Sequence, residues 1–264
     1  MSTPPLIGFF DSGIGGLSVL RHAPELLGDA AYLYVADSAY APYGAQPLEV
    51  VQQRSQAITR FLVSQGAQAI VIACNTATAV AAELIRAQLT IPVIAMEPAI
   101  KPAVAQSTCK RIVVLATAST IGSERYRLLK QDHLKQGEVV ELACHRWVEA
   151  LERGYPEGAE LADLVAEELQ PIVSFAADTY ILGCTHFPFL YPMIRDFLGP
   201  DVHIIDPAKA VIGQLARRLG VNEQPSCVLS APKVQLFSSG NTQLTENRLL
   251  SLMNWRIKVN SLNL

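Results

Sequence analysis

The chain has five cysteines, and no two of them form a C-x-x-C pair, so the sequence supports neither a disulfide framework nor a zinc cluster. Charge is scarce too: only 17% of the residues carry it, with 21 Lys and Arg against 24 Asp and Glu. A net charge of −3 and the lack of a basic stripe argue against a phosphate backbone as partner, so no nucleic acid is expected to bind. No apolar run approaches the ~18 residues of a membrane-spanning helix, and the opening MSTPPLIGFFDSG has neither a basic start nor a signal-length apolar core. A cytoplasmic protein with reduced thiols and no membrane association is expected.

Apolar residues, by contrast, are abundant. They make up half of the 264 residues, enough for one large domain or two small ones. Short Val-, Ile- and Leu-rich runs at 6–10, 31–36, 69–74, 92–96, 111–117, 139–145, 179–184 and 202–206 predict strands covered on both faces. Helices are predicted between them at 16–26, 46–65, 76–89, 97–107, 122–136, 158–175, 187–198 and 207–220. In the second of these, Val50, Val51, Ala57, Ile58, Phe61 and Leu62 form a stripe. The closing KVQLFSSGNTQLTENRLLSLM predicts a strand, a turn at Gly240-Asn241 and a helix. This alternation gives an α/β fold with mainly parallel sheets.

The order of features repeats. LIGFFDSGIGGLSVLR and RIVVLATASTIGSERYR each read as strand, Ser/Thr/Gly turn and helix, and AIVIACNTATA and TYILGCTHFPF each read as a strand ending in cysteine. Asp11 and Cys74 stand 63 residues apart, Thr117 and Cys184 67. Two pseudo-symmetric α/β lobes are expected, one from 1–97 plus 207–264 and the other from 98–206, with the active site in the cleft between them. Ligands of open parallel sheets bind at the carboxyl ends of strands, where both cysteines fall.

A free cysteine is most often a small buried hydrophobe, and Cys109, Cys144 and Cys227 are read that way. Cys74 and Cys184 differ because polar pairs follow them, Asn75-Thr76 and Thr185-His186, where a helix is expected to begin. A helix N-terminus favours thiolate over thiol and binds carboxylates. His186, two residues past Cys184, is placed to move its proton. The turn DSGIGGLS lacks the third glycine of a dinucleotide fingerprint, where Ser18 stands instead. Its glycines suit close backbone approach to a small ligand, with Ser12 as donor. Asp11 reads equally well as a cap for the turn or as a catalytic group that accepts from an ammonium or tunes a thiol.

FFDSGIGGLSVLR (9–21), ADSAYAPYG (36–44), ACNTATA (73–79) and LGCTHFP (182–188), in that order, resemble the glutamate racemases, and the resemblance runs from near residue 6 into the C-terminal region. It implies interconversion of L- and D-glutamate without a cofactor or metal, in service of peptidoglycan synthesis and so of cell-wall biogenesis and cell shape. The catalytic thiols would be Cys74 and Cys184. The substrate contacts would be Asp11, Ser12, Tyr43, Gly44, Asn75, Thr76, Thr185 and His186, and a homodimer is implied as well. Thr117 joins Asn75, Thr76 and Thr185 as a candidate for binding carboxylates. The family's auxiliary glutamate sits in a segment resembling Cys-Pro-x-Phe-Val-Pro-x-Val-Glu. Here the segment runs from Cys144 to Glu152, with His145 and Glu149 at the proline positions, so Glu152 is the positional match and Glu149 the competitor. An aspartate racemase using the same thiols, a dinucleotide-dependent oxidoreductase and a non-enzymatic thiol sensor remain as other readings.

Overall fold

The computed structural model describes residues 4–134, 137–154, 158–221 and 233–264. Cys227 and the end of the helix predicted over 122–136 lie outside them. The aliphatic runs form β1 (Leu6–Asp11), β2 (Ala31–Ala36), β3 (Ala69–Ile72), β4 (Val93–Ala95), β5 (Arg111–Ala116), β6 (Glu138–Ala143), β7 (Thr179–Leu182) and β8 (His203–Ile205). The last quarter of the chain adds β9 (Lys233–Ser238) and β10 (Val259–Ser261). The sequence reading missed β10, whose Val-Asn-Ser carries no apolar alternation.

The chain divides into two compact units, residues 1–96 with 208–264, and residues 97–207. In the first, the sheet order is β10-β9-β2-β1-β3-β4, and in the second β6-β5-β7-β8, with every pairing parallel. The run β2-β1-β3-β4 has the same arrangement as β6-β5-β7-β8. In each, the chain leaves the central strand to one side and returns on the other. That reversal opens a switch point at the carboxyl ends of β1 and β3, and of β5 and β7. The backbone agrees in detail: Ala73 N–H donates to Phe10 O at 2.8 Å and Gly183 N–H to Leu115 O at 2.7 Å, each one residue beyond its strand.

Prolines account for most differences from the predicted helices, because each removes an N–H and clashes with the preceding turn. The stretch at 16–26 splits into Leu17–Leu20 and Ala23–Leu27, with Pro24 opening the second piece. Helix Ala159–Leu169 tightens at Pro171 into a 3-10 turn, Gln170–Phe175, and Pro188 and Pro192 divide 187–198 into a 3-10 turn and the helix Tyr191–Leu198. Ser123 starts a new helix, Glu124–His133, by accepting from Tyr126 N–H at 3.1 Å. The strand predicted to reach 145 ends at Ala143. Cys144 then leads into the helix His145–Arg153, which buries Trp147, Val148, Leu151 and Glu152 and stops at Gly154 in the left-handed region.

Cys109 corrects a sequence expectation, since it is exposed rather than buried. Its backbone N–H, not its thiol, has the structural role. Asp178 accepts from Cys109 N–H at 2.9 Å, from Thr108 N–H at 2.7 Å, and from the Ser107 and Thr179 hydroxyls at 2.6 and 2.9 Å. Burial alone would raise this carboxyl, but the hydrogen bonds outweigh it and hold it well below the usual carboxylate range. A depressed acid contributes stability above its unfolded value, and that stability is lost as pH falls through its folded one. Asp178→Asn is therefore expected to lower stability at neutral pH by about 1 kcal/mol, the effect being reduced by solvent screening. Urea denaturation should show the gap shrinking below about pH 4, and an equal gap at pH ~7 and ~3 would contradict this account.

Candidate active site

The site residues of the first unit gather at the ends of β1, β2 and β3. Asp11 closes β1 and is fully buried. Its Oδ1 accepts from Ser12 N–H and its Oδ2 from Gly16 N–H, both at 2.7 Å, so the carboxylate caps the glycine turn. Tyr34 of β2 donates its hydroxyl to Gly13 O at 2.8 Å and fixes the same turn from the neighbouring strand. A Cβ on Gly16 would meet the Tyr34 hydroxyl at 2.8 Å and the Cβ atoms of Ala73 and Asp11 at 2.9 Å, so glycine is needed there for closeness rather than for its φ.

Cys74 follows β3 and caps the helix Asn75–Gln88, its Sγ accepting from Ala77 N–H at 3.5 Å. The expected thiol at a helix N-terminus is present here. Thr76 is buried beside it. Asn75 is 5% exposed, and neither its Oδ1 nor its Nδ2 has a hydrogen-bond partner. Such a group in a folded core calls for an explanation, and a bound polar ligand is one.

Tyr43 and Gly44 lie in the 3-10 turn Tyr43–Ala45, which packs on the helix that Cys74 caps. The Tyr43 hydroxyl donates to Asp37 Oδ2 at 2.6 Å. Burial first, then the charge and hydrogen bond of Asp37, hold this phenol well above its usual value, so it stays a donor. Sequence reasoning missed Asp37 and its partner Arg54. The signal was there: Asp37 follows β2 as Asp11 ends β1, and Arg54 interrupts the buried face Val51, Ile58, Leu62. Val50, Ala57 and Phe61, counted in the predicted stripe, are only partly buried.

In the second unit, Thr117 follows β5 and caps the short helix Ala118–Ile121, accepting from Thr120 N–H at 3.2 Å, with the two hydroxyls 2.9 Å apart. Cys184, Thr185 and His186 follow β7 and are all buried. What begins there is the 3-10 turn Phe187–Leu190 rather than the expected α-helix, so Cys184 has a different neighbour from Cys74. Its Sγ lies 3.8 Å from His186 Nδ1, and His186 Nε2 lies 2.7 Å from Glu152 Oε1. Glu152 is buried, whereas Glu149 is turned to Arg153 at 3.4 Å and is partly exposed. Of the two glutamates, Glu152 joins the thiol and the imidazole. Trp147 stacks edge-on against Phe187 at 4.9 Å and supports the turn from the helix that carries Glu152.

Burial would lower the His186 imidazole, but its hydrogen bonds to Cys184 and Glu152 and their charges outweigh that and hold it well above the usual histidine value. The chain Glu152–His186–Cys184 can thus hold and pass a proton at Sγ. Burial, then Glu168 and Cys184 nearby, push the Cys144 thiol far up, and it stays protonated within the core. Among the described residues no group of three or more His, Cys, Asp or Glu side chains is placed to hold a metal ion, and no helix is long and apolar enough to cross a membrane.

A family model described as Asp/Glu/Hydantoin racemase matches residues 18–215. A glutamate racemase from Methylococcus capsulatus is 46% identical over 247 residues, 94% of this chain and 91% of that one. Among solved structures, a glutamate racemase isoform from Bacillus anthracis aligns with a TM-score of 0.87 at 30% identity, covering 98% of each chain. A glutamate racemase from Escherichia coli, in complex with L-glutamate and the activator UDP-MurNAc-Ala, aligns with a TM-score of 0.85 at 27% identity over 98% of each chain.

His186, with its folded value raised, contributes stability that is complete below about pH 6.5 and lost as pH rises through that raised value. Replacing Glu152 by Gln removes one cause of the elevation. The wild-type advantage over Glu152→Gln is expected to be largest near pH ~6 and to fade at alkaline pH, read by denaturation, with the imidazole resonances titrating earlier in the variant. A wild-type His186 that titrates at or below about pH 6.5 would contradict the assignment.

Proposed function

Because the chain belongs to the glutamate racemases of the Asp/Glu/Hydantoin racemase family, we propose that it interconverts L- and D-glutamate by a two-base mechanism in which Cys74 and Cys184 act on opposite faces of the α-carbon. The observation that carries this reading is the equivalence of the two thiols: each is buried, and each lies just past the strand that pairs with the central strand of its sheet at the switch point. Inverting a stereocentre requires one base to remove the α-proton and an acid on the other face to deliver a new one.

In the forward step, one thiolate takes the proton from Cα and becomes a thiol, and the bonding pair passes to the α-carbon and its carboxylate. The opposite thiol then gives its proton to that carbon and becomes a thiolate. The reverse reaction exchanges the roles. His186, backed by Glu152, manages the proton at Cys184. At Cys74 the helix N-terminus does the corresponding work through fixed dipoles. The carbanion needs donors aimed at its carboxylate. The unpartnered Asn75 amide supports a role in that binding together with Thr76, Thr117 and Thr185, and Asp11, Ser12 and the Tyr43–Gly44 turn complete the proposed set.

The proposal includes no cofactor and no metal. It also includes a homodimer, and supply of D-glutamate to peptidoglycan synthesis in the cytoplasm, where thiols stay reduced. The relative from Escherichia coli was captured with L-glutamate, which supports the choice of substrate.

Circular dichroism of each enantiomer with purified, cofactor-free protein is expected to decay to zero from both sides. Cys74→Ser and Cys184→Ser should each cost about a hundredfold or more in kcat. In heavy water the product should carry deuterium at Cα. Retention of protium there, or turnover surviving either substitution, would defeat the two-thiol mechanism. Turnover of aspartate in place of glutamate would keep the mechanism and change the substrate.

A further inference from the structure

Asp37 is fully buried after β2, and all of its acceptor capacity is in use. Arg54 meets it as a fork, Nε to Oδ2 at 3.0 Å and Nη2 to Oδ1 at 2.7 Å, while Tyr43 donates to Oδ2 at 2.6 Å and the Ser239 hydroxyl to Oδ1 at 2.7 Å. Arg54 is held in turn: its Nη1 donates to Leu264 O at 2.8 Å, and its guanidinium lies 4.2 Å from the centre of the Tyr40 ring. The tail is anchored to the sheet by Leu262 N–H on Ser238 O at 2.8 Å. Three segments therefore meet at one carboxylate, the loop after β2, helix Leu48–Ser64 and the loop after β9, and the tail after β10 joins them through Arg54.

Stability alone does not call for this arrangement. Apolar residues at both 37 and 54 would fill the same buried space, and replacing a whole buried ion pair by apolar side chains is often neutral or stabilising. What the pair supplies is a fixed direction for the Tyr43 hydroxyl, and with it a fixed place for the Tyr43–Ala45 turn, which packs on the helix capped by Cys74. We propose that Arg54 is a positioning residue: acting through Asp37, and itself held by residues 259–264, it sets the Tyr43–Gly44 turn beside Cys74. The reaction it serves is the racemisation proposed above, but its effect on the turn does not depend on that reading.

The test uses Arg54→Lys, Arg54→Met and Ser239→Ala in the full chain, with two readouts. Steady-state kinetics on L-glutamate should show KM rising about tenfold in Arg54→Met, with kcat falling less. Arg54→Lys should be intermediate, because an ammonium restores the charge but not the fork. Alkylation by iodoacetamide, mapped by mass spectrometry, should be about tenfold faster at Cys74 in the arginine variants and unchanged at Cys184. Folded variants with a lower thermal midpoint, but with wild-type KM and wild-type Cys74 alkylation, would reduce the pair to a structural role and overturn the proposal. Should Arg54→Met fail to fold, Arg54→Lys and Ser239→Ala decide by the same measures. A wild type inactive on glutamate would sink the racemase reading, and the alkylation rates would still decide this one.

Discussion

Parallel pairing of a central strand with neighbours on both sides is the constraint from which the rest of the structure follows. Once β1 lies between β2 and β3, and β5 between β6 and β7, the chain must reverse direction across each sheet. The residues just past those strands then leave the ladder together. Asp11 O still accepts from Asp37 N–H at 3.0 Å, and Ala116 O from Cys144 N–H at 3.0 Å, so the backbone stays tied one residue beyond the last rung. Side chains placed there stand on rigid scaffolding with polar termini of helices and turns around them, which is where binding and acid–base chemistry can be held in fixed geometry.

The charged groups Asp11, Asp37 and His186 buried at those strand ends are each compensated locally, in a way suited to the group. Asp11 is held by backbone N–H groups of its own turn, a cheap solution because the turn needs an acceptor there in any case. Asp37 faces no such turn and takes an arginine fork, a phenol and a hydroxyl instead. His186 is accommodated by Glu152 on one nitrogen and a thiol near the other. The Asn75 amide departs from this pattern, buried but with neither polar atom bonded. In the proposed reaction the substrate supplies what the fold withholds, so part of the desolvation cost is already present before glutamate binds.

Much of the fold was legible because strand runs and turn residues are local signals. The eight strands read from aliphatic runs all occur, and the cysteines fall at matching strand ends, because a four-residue Val/Ile core with a polar stop has few other uses in an α/β chain. Helix boundaries were less legible. Apolar periodicity continues through Pro171 and Pro188 although the missing N–H breaks the hydrogen-bond ladder there. The helix His145–Arg153 was hidden because its first residues extend the strand pattern of VVELACH. In the candidate site, the residues on contiguous motifs could be read directly. Arg54 could be placed on the buried face of its helix but not paired with Asp37 from sequence, since nothing in a linear reading says that an arginine 17 residues away will meet that carboxylate.

The two halves repeat in backbone but not in side-chain chemistry, and that difference is informative. An α-helix begins directly after Cys74, so a main-chain N–H reaches its sulfur. The 3-10 turn after Cys184 starts only at Phe187, and an imidazole backed by a carboxylate occupies the space instead. A thiol that exchanges its proton with substrate must exist in both forms, and its surroundings must tolerate both. Fixed dipoles at Cys74 favour the anion without carrying a proton themselves. At Cys184 the imidazole can carry one, and Glu152 keeps it charged when it does. The sheet topology therefore places both sulfurs equivalently, while local side chains give each its own means of balancing charge. In the proposed reaction, whose two substrates differ in handedness and not in composition, this shared backbone frame with unshared electrostatics would let each thiol exchange its proton by its own means.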